Sequence, residues 1–382
     1  MARRSLRLTT ERLTIRPLAR NDITEFTRYR NVPDVARYQD WTLPYTRDLA
    51  HALVDDAEEL GVPTPGQWLQ LAVTNADDRL LGDVAVWLDD VALLAMIGYT
   101  FAPENQGRGY AVEAVRAVVD WLFTVRKVHR VAATIDPENV ASARVLERNG
   151  FRYIGTARSA ALVRDVWSDD ARFEILADEW RAWKRRPGRP RRVELVEITP
   201  QMVRRVGELD RAFSQRRFVS SVYQSYGDAL VPPVHDGNRV EPWFRAIAAD
   251  GEPVGFMMVA EPLPTQPHPY LWRLMIDWRH QGRGIGRAAI EALARQRATQ
   301  GDTHLLLSCT ADVTGTPEPF YRRLGFERTG KVNEWGETEM IAPLDRLMPA
   351  AGNGSPSPPS ERKRVGASER AASLGLRGQG TQ

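Results

Sequence analysis

Residues 106–111 read Gln-Gly-Arg-Gly-Tyr-Ala, and residues 281–286 read Gln-Gly-Arg-Gly-Ile-Gly. Each loop has strand-like sequence before it and helical spacing after it. Ahead of the first, Arg79 to Leu88 reads as a strand with alternating Val84, Val86 and Leu88, Asp89-Asp90 makes a turn, and a second strand ends over Ile97 to Phe101. Behind it, Val112, Val115, Val119 and Leu122 recur at helical spacing. A strand over Val131 to Ile135 follows, then a short helix closing at Asn149-Gly150-Phe151. Around the second loop the same events recur in order. Val254 to Val259 and Tyr270 to Ile276 are strands, the next helix carries Ile285, Ala289, Ala292 and Leu293, Leu305 to Cys309 is a strand, and Leu324-Gly325-Phe326 closes the set.

The two glycine loops are offset by 175 residues, and so are the pairs Gly150-Phe151 and Gly325-Phe326. Two markers held in one register indicate an internal duplication. Physically, a strand, a Gly-x-Gly turn and a helix start form a phosphate cradle. Glycines let backbone come close, amide N–H groups converge, and the helix N-terminus adds a favourable dipole. Arg108 and Arg283 add charge-assisted contacts. The dinucleotide fingerprint needs a third glycine that neither loop carries, and a P-loop needs Gly-Lys-Ser/Thr, which is absent.

With Gln-x-x-Gly-x-Ala/Gly at 106–111 and 281–286, each followed about 40 residues later by Gly-Phe, the chain resembles the GCN5-related N-acetyltransferases. In that family the loop cradles the pyrophosphate of acetyl-CoA. The resemblance covers residues 6–183 and 193–345. It implies a mixed α/β fold of α+β type, with two similar domains, each a central, mostly antiparallel sheet flanked by helices. The expected organisation is an N-terminal domain 1–183, a linker 184–192, a C-terminal domain 193–348 and a tail 349–382. The first half resembles the ribosomal-protein alanine acetyltransferase branch, through Thr10-Glu-Arg-Leu-Thr-Ile-Arg-Pro17, Ile97-Gly98-Tyr99, Asn139-x-x-Ser142 and Asp178-Glu179-Trp180. The second resembles diamine and spermidine acetyltransferases, through Tyr270-Leu-Trp-Arg-Leu-Met-Ile-Asp277, Phe320-Tyr321-x-x-Leu-Gly-Phe326 and Gly336-Glu-Thr-Glu-Met340.

The resemblance assigns the cofactor to Tyr99, Thr100, Phe101, Gln106, Gly107, Arg108, Gly109, Tyr110 and Ala111 in the first half. In the second it assigns Leu274, Met275, Ile276, Gln281, Gly282, Arg283, Gly284, Ile285 and Gly286. Acyl transfer to an amine needs a neutral amine, a stabilised oxyanion and a proton for the departing thiolate. The resemblance gives the oxyanion to strand-end N–H groups and the proton to the phenol of Tyr321. Leu146 stands at the register-equivalent position of the first half, which offers Asn139 and Ser142 instead, although Asn and Ser also cap helices. Trp272 occupies the place where related enzymes carry a glutamate, so Asp277 is the nearest candidate base. Glu334, Glu337 and Glu339 lie near an expected terminal hairpin, Val332 to Ile341, and can attract a cationic amine, with a solvated edge as the competing reading.

Composition bounds the rest. The 382 residues are 43% hydrophobic and 26% charged, ordinary globular values, and suggest two to three domains. The 52 cationic and 49 anionic residues nearly balance, so nucleic acid is not expected as a partner. Gly188-Arg-Pro190 in the run KRRPGRPRR resembles an AT-hook, but Pro187 replaces a basic residue and the run reads as a solvated linker. The segment from Pro349 to Gln382 is rich in Gly, Ser and Pro, without aromatics, and reads as a disordered tail. The lone Cys309 excludes an intrachain disulfide and reads as a buried, inert thiol, and the six histidines lack ligand spacing, so no metal is expected. No apolar run reaches about 18 residues, so no membrane span is expected and the cytoplasm is the expected compartment. The expected activity is acetyl-CoA-dependent transfer to a primary amine of a small molecule by the C-terminal half. A protein N-terminal acetyltransferase and a non-catalytic acyl-CoA sensor are the alternatives.

Overall fold

Two glycine-rich turns that each join a strand to a helix are the points around which two sheets form. The computed structural model describes residues 5–235 and 237–348; the expected tail, 349–382, lies outside them. Among the described residues the first sheet comprises β1 (Leu8–Thr9), β2 (Thr14–Pro17), β3 (Trp68–Thr74), β4 (Leu80–Leu88), β5 (Leu94–Phe101), β6 (Arg130–Ile135), β7 (Arg152–Val163) and β8 (Val166–Leu176). The second half contributes β9 (Val193–Val196), a small hairpin of β10 (Val234–His235) and β11 (Asn238–Arg239), then β12 (Pro242–Ala249), β13 (Glu252–Ala260), β14 (Tyr270–Ile276), β15 (His304–Cys309), β16 (Glu327–Val332) and β17 (Thr338–Pro343). The helices are α1 (Ile23–Arg30), α2 (Pro33–Ala36), α3 (Arg47–Leu60), α4 (Tyr110–Trp121), α5 (Val140–Arg148), α6 (Ala177–Arg185), α7 (Val203–Gly207), α8 (Val222–Leu230), α9 (Ile285–Thr299), α10 (Glu318–Leu324) and α11 (Leu344–Leu347).

The first sheet runs β1-β2-β3-β4-β5-β6-β8-β7 and the second β16-β17-β15-β14-β13-β12-β9. Every neighbouring pair is antiparallel except β5 with β6 and β14 with β15. Those two parallel pairs require crossovers, supplied by α4 and α9. The expected mixed, mostly antiparallel fold is therefore the observed one. Val84, Val86 and Leu88 are all buried in the first core, as their alternation predicts, together with Val115, Val119 and Leu122 from the following helix. Ile285, Ala289 and Leu293 do the same in the second, while Ala292 stays partly exposed at the helix flank.

The feature that positions the site is where the parallel pairs stop. β5 pairs with β6 only from Leu94 to Met96. Beyond that, Ile97–Phe101 diverges from β6, which continues to Ile135 on its β8 side. β14 pairs with β15 only at Tyr270 and Leu306. Each sheet thus splits in two at the end that carries the glycine loop.

Two sequence expectations change here. The hairpin expected over Val332 to Ile341 is longer, Glu327–Val332 against Thr338–Pro343, which puts Glu334 in its turn and Glu337 just before β17. The expected solvated linker is not a free spacer either. α6 continues through Arg185, because Lys184 precedes the first proline and its ammonium sits 2.5 Å from Asp120, and the extended remainder lies on the second glycine loop.

Candidate active site

Both glycine loops adopt one geometry. Gly109 has φ 81° and caps the N-terminus of α4; Gly284 has φ 78° and caps α9. That left-handed conformation is open to glycine without the Cβ penalty, and it turns the chain so that the first-turn N–H groups of the helix face outward. Gln106 Nε2 donates to the Phe101 carbonyl at 3.0 Å, and Gln281 Nε2 donates to the Ile276 carbonyl at 3.0 Å. The register-matched glutamines therefore pin each loop to the end of its splayed strand. Strand end, glycine turn and helix N-terminus converge twice, and each convergence can hold a pyrophosphate with backbone donors.

An acetyltransferase (GNAT) domain family matches residues 12–152, and a second acetyltransferase (GNAT) family matches residues 209–326. The chain belongs to the GNAT acetyltransferases. Among its relatives, a probable N-acetyltransferase YjcK of Bacillus subtilis (strain 168) is 40% identical over 105 residues, covering 27% of this chain and 58% of that one. The ribosomal protein uS5-alanine N-acetyltransferase of Escherichia coli (strain K12) is 29% identical over 84 residues, 22% of this chain and 43% of the relative. The spermidine N(1)-acetyltransferase of the same organism is 25% identical over 175 residues, 46% and 91%. The chain thus spans little more than half the length of the first of these and nearly all of the last. GNAT enzymes use acetyl-CoA, and both cradles have the donor chemistry for its phosphates.

The two cradles of this acetyltransferase differ in charge. At the first, Arg12 lies against Gly109: a Cβ there would meet its guanidinium at 3.5 Å, and Nη1 donates to the Arg108 carbonyl at 3.1 Å. Glu113, in the first turn of α4, neutralises it at 2.6 Å. Burial alone would push the Glu113 carboxyl up, but Thr10 and Arg12 hydrogen-bond it and hold it below its ordinary range, so it is an anion. The register-equivalent residue of the second loop is Ala288, and no carboxylate stands there. Arg283 instead donates from Nε to the Gly188 carbonyl at 2.9 Å and approaches His280 Nδ1 at 2.8 Å.

In the second half, Tyr321 projects from α10 and packs edge-on to Phe320 and Phe326. Burial raises its pKa, and nearby Cys309, Tyr270 and Glu337 raise it further. These neighbours belong to β15, β14 and the β17 entry, which places the phenol by the split between β14 and β15. It is protonated across the physiological range. Burial also pushes the Cys309 thiol up to about 11, which keeps it an un-ionised side chain beside Met340.

Asp277, the sequence candidate for a base, is fully buried and saturated. It accepts from Arg279 Nε and Nη2 at 2.8 and 2.9 Å, and from the N–H groups of Asp210 and Arg279. Burial raises its pKa, but these bonds prevail and hold it below the ordinary carboxylate range. It lacks a free lone pair and sufficient basicity, and instead fixes the turn between β14 and Gln281. Of the three glutamates, Glu334 is exposed in the hairpin turn and Glu339 is held by Thr329 at 2.8 Å. Glu337 is the one whose charge reaches Tyr270 and Tyr321.

In the first half, Asn139 caps α5 by accepting from the Ser142 N–H at 3.1 Å. Ser142 Oγ and carbonyl lie 2.8 and 2.9 Å from the Tyr99 hydroxyl. Leu146 is core, fully buried where Tyr321 stands in the other half. Sequence reasoning assigned Tyr99 a main-chain role and missed this side-chain bridge from β5 to α5. Arg12 was missed as well, although it lies inside the quoted Thr10 to Pro17 motif. Asn139→Ala is expected to remove about 1 kcal/mol of stability, read as a small fall in thermal midpoint, with amine acetylation unchanged. A loss of turnover at unchanged stability would restore a catalytic role to this residue.

Proposed function

We propose that the second half transfers an acetyl group from acetyl-CoA to a primary amine of a small, polycationic molecule. The observation that carries this reading is the second cradle, which has Ala288 where the first has Glu113 and lies at a strand split beside Tyr321, whose phenol feels the charge of Glu337. Bound acetyl-CoA supplies the thioester whose C–S bond breaks as the new C–N bond forms. Main-chain N–H groups of Leu274 and Ile276, which alternate with the β13-facing N–H of Met275, lie on the side of β14 released from β15 and receive the oxyanion. Tyr321 holds its proton for the departing thiolate. Glu337 attracts the ammonium end of the acceptor. An alkylamine of pKa about 10 is roughly one part in a thousand neutral at pH 7, so the attacking amine first loses a proton through water. Gln281 and Asp277 serve the geometry of the loop, Gly282 and Arg283 line it, and Ile285 and Gly286 begin the helix behind it.

Similarity to the spermidine enzyme extends over 175 residues, more than the second half holds, and supports an amine of this class for the chain without assigning it to one half. The relative acting on ribosomal protein uS5 favours a second reading, in which the first half modifies a protein N-terminus using Tyr99, Thr100, Phe101, Gly107, Tyr110 and Ala111. Thiol release measured against spermidine, diamines, aminoglycosides and N-terminal peptides separates the two. Turnover on peptides alone overturns the polycation proposal. Glu337→Gln is expected to raise KM for a diamine about tenfold with KM for acetyl-CoA unchanged, whereas Glu334→Gln changes neither. Equal effects of the two substitutions would remove Glu337 from the acceptor site.

A further inference from the structure

A cleft of about 730 Å³ opens over the second glycine loop, a size suited to a cofactor. Its floor is Gly282, Arg283 and Gly284, but its walls come from elsewhere: Arg116 on α4, Trp180, Trp183 and Lys184 on α6, Arg287 on α9, and the segment from Arg186 to Arg189. Six of its lining residues are cations and none is acidic. Lys184 is matched by Asp120 at 2.5 Å, and Arg287 stands 3.9 Å from Glu291. Among the described residues, Arg116, Arg186, Arg189 and Arg283 form no ion pair. Arg116 reaches only neutral oxygens, of Asn149 and of the Arg148 carbonyl, at 3.4 Å.

Unneutralised guanidinium groups gathered in one concavity repel each other, so the arrangement favours an anion between them. Two details sharpen this. Arg186 lies flat on the Trp183 ring, 3.4 Å from its centroid, and its Nη1 is buried without a hydrogen-bond partner. Arg189 Nε lies 3.4 Å from where a Cβ of Gly284 would be, as Arg12 lies 3.5 Å from that of Gly109. The linker therefore stands to the second loop as the N-terminal strand entry stands to the first, but without a Glu113 to cancel its charge. Trp183 stacks on Trp278 at 6.1 Å between centroids, which fastens α6 to the turn that leads into the loop.

We propose that Arg186 and Arg189 of the linker, with Arg116 of the first half, complete the phosphate site of the second loop, so that the cofactor's phosphate groups are held by both halves of the chain at once. The proposal rests on the reading of the second half as an acetyl-CoA site. Each arginine supplies donors to phosphate oxygens that the backbone cradle leaves unmatched.

Calorimetry on the full chain tests it with two probes, coenzyme A and pantetheine, which lacks the phosphates. In Arg186→Ala/Arg189→Ala, one class of coenzyme A site is expected to weaken about 30-fold, more steeply at low salt, while pantetheine binding and the thermal midpoint stay as in the unaltered chain. The lysine pair, Arg186→Lys/Arg189→Lys, is expected to recover part of the loss. Coenzyme A binding unaffected by the alanine pair overturns the linker site and leaves the acetyl-CoA reading standing. Equal losses for both probes, or a lowered thermal midpoint, show that the arginines hold the fold and overturn it too. If the unaltered chain binds no coenzyme A, both fall together.

Discussion

Gly284→Glu is expected to lower kcat/KM for acetyl-CoA by at least about 100-fold, equivalent to roughly 3 kcal/mol. Two effects combine. A side chain at φ 78° costs about 1–2 kcal/mol on its own, and the added carboxylate stands where backbone N–H groups and Arg283 are arranged for phosphate. Gly301→Glu separates the two effects, because Gly301 has φ 92° with nothing within 4 Å of its Cβ position. It carries the strain without the charge clash and is expected to leave turnover unchanged. The decisive comparison is with Gly109→Glu. If that variant abolishes acetylation of the small amine while Gly284→Glu spares it, the working cradle is the first.

Tyr321→Phe is expected to lower kcat about 100-fold, within the range for loss of a positioned acid, with KM for acetyl-CoA within about twofold. The ring packing against Phe320 and Phe326 survives the change, so the thermal midpoint should hold. The pH profile gives an independent check. Burial, then the charges of Cys309, Tyr270 and Glu337, raise the phenol above its ordinary pKa near 10, so the proton stays in place as pH rises through the neutral and mildly alkaline range. The kcat profile should therefore show no falling limb from this group below pH 10. A limb near pH 8 to 9 that vanishes in Tyr321→Phe would falsify the assignment.

Much of the fold was legible because it is written locally. Alternation in β4, helical spacing behind each Gly-x-Gly and the 175-residue register all concern neighbours in sequence, and the glycine turns follow from which residues tolerate a left-handed conformation. Tyr321 was singled out through its motif, and its place on α10 packed against Phe320 and Phe326 came from the structure, its role as acid being our proposal. Asp277 was legible as a residue near the loop but not in its role, since nothing local says that the Asp210 N–H, 67 residues away, closes on its carboxylate. The hairpin glutamates divided for the same reason: Glu337 and Glu339 share a stretch of chain, yet Thr329 holds Glu339 while Glu337, held by Asn333 Nδ2 at 3.0 Å, is the one whose charge reaches Tyr270 and Tyr321.

The sequence by itself determined that this chain carries two GNAT acetyltransferase cradles, because backbone donors need only the right turn at the right helix start. Tertiary structure decided how those cradles differ. Glu113 cancels Arg12 at the first, while at the second the linker folds back and Trp183 stacks on Trp278, adding arginines from 95 to 168 residues away from Gly284 in the chain. Electrostatic interaction depends on distance in space and on which charges are paired, and composition near balance gave no hint of a cleft where cations alone converge.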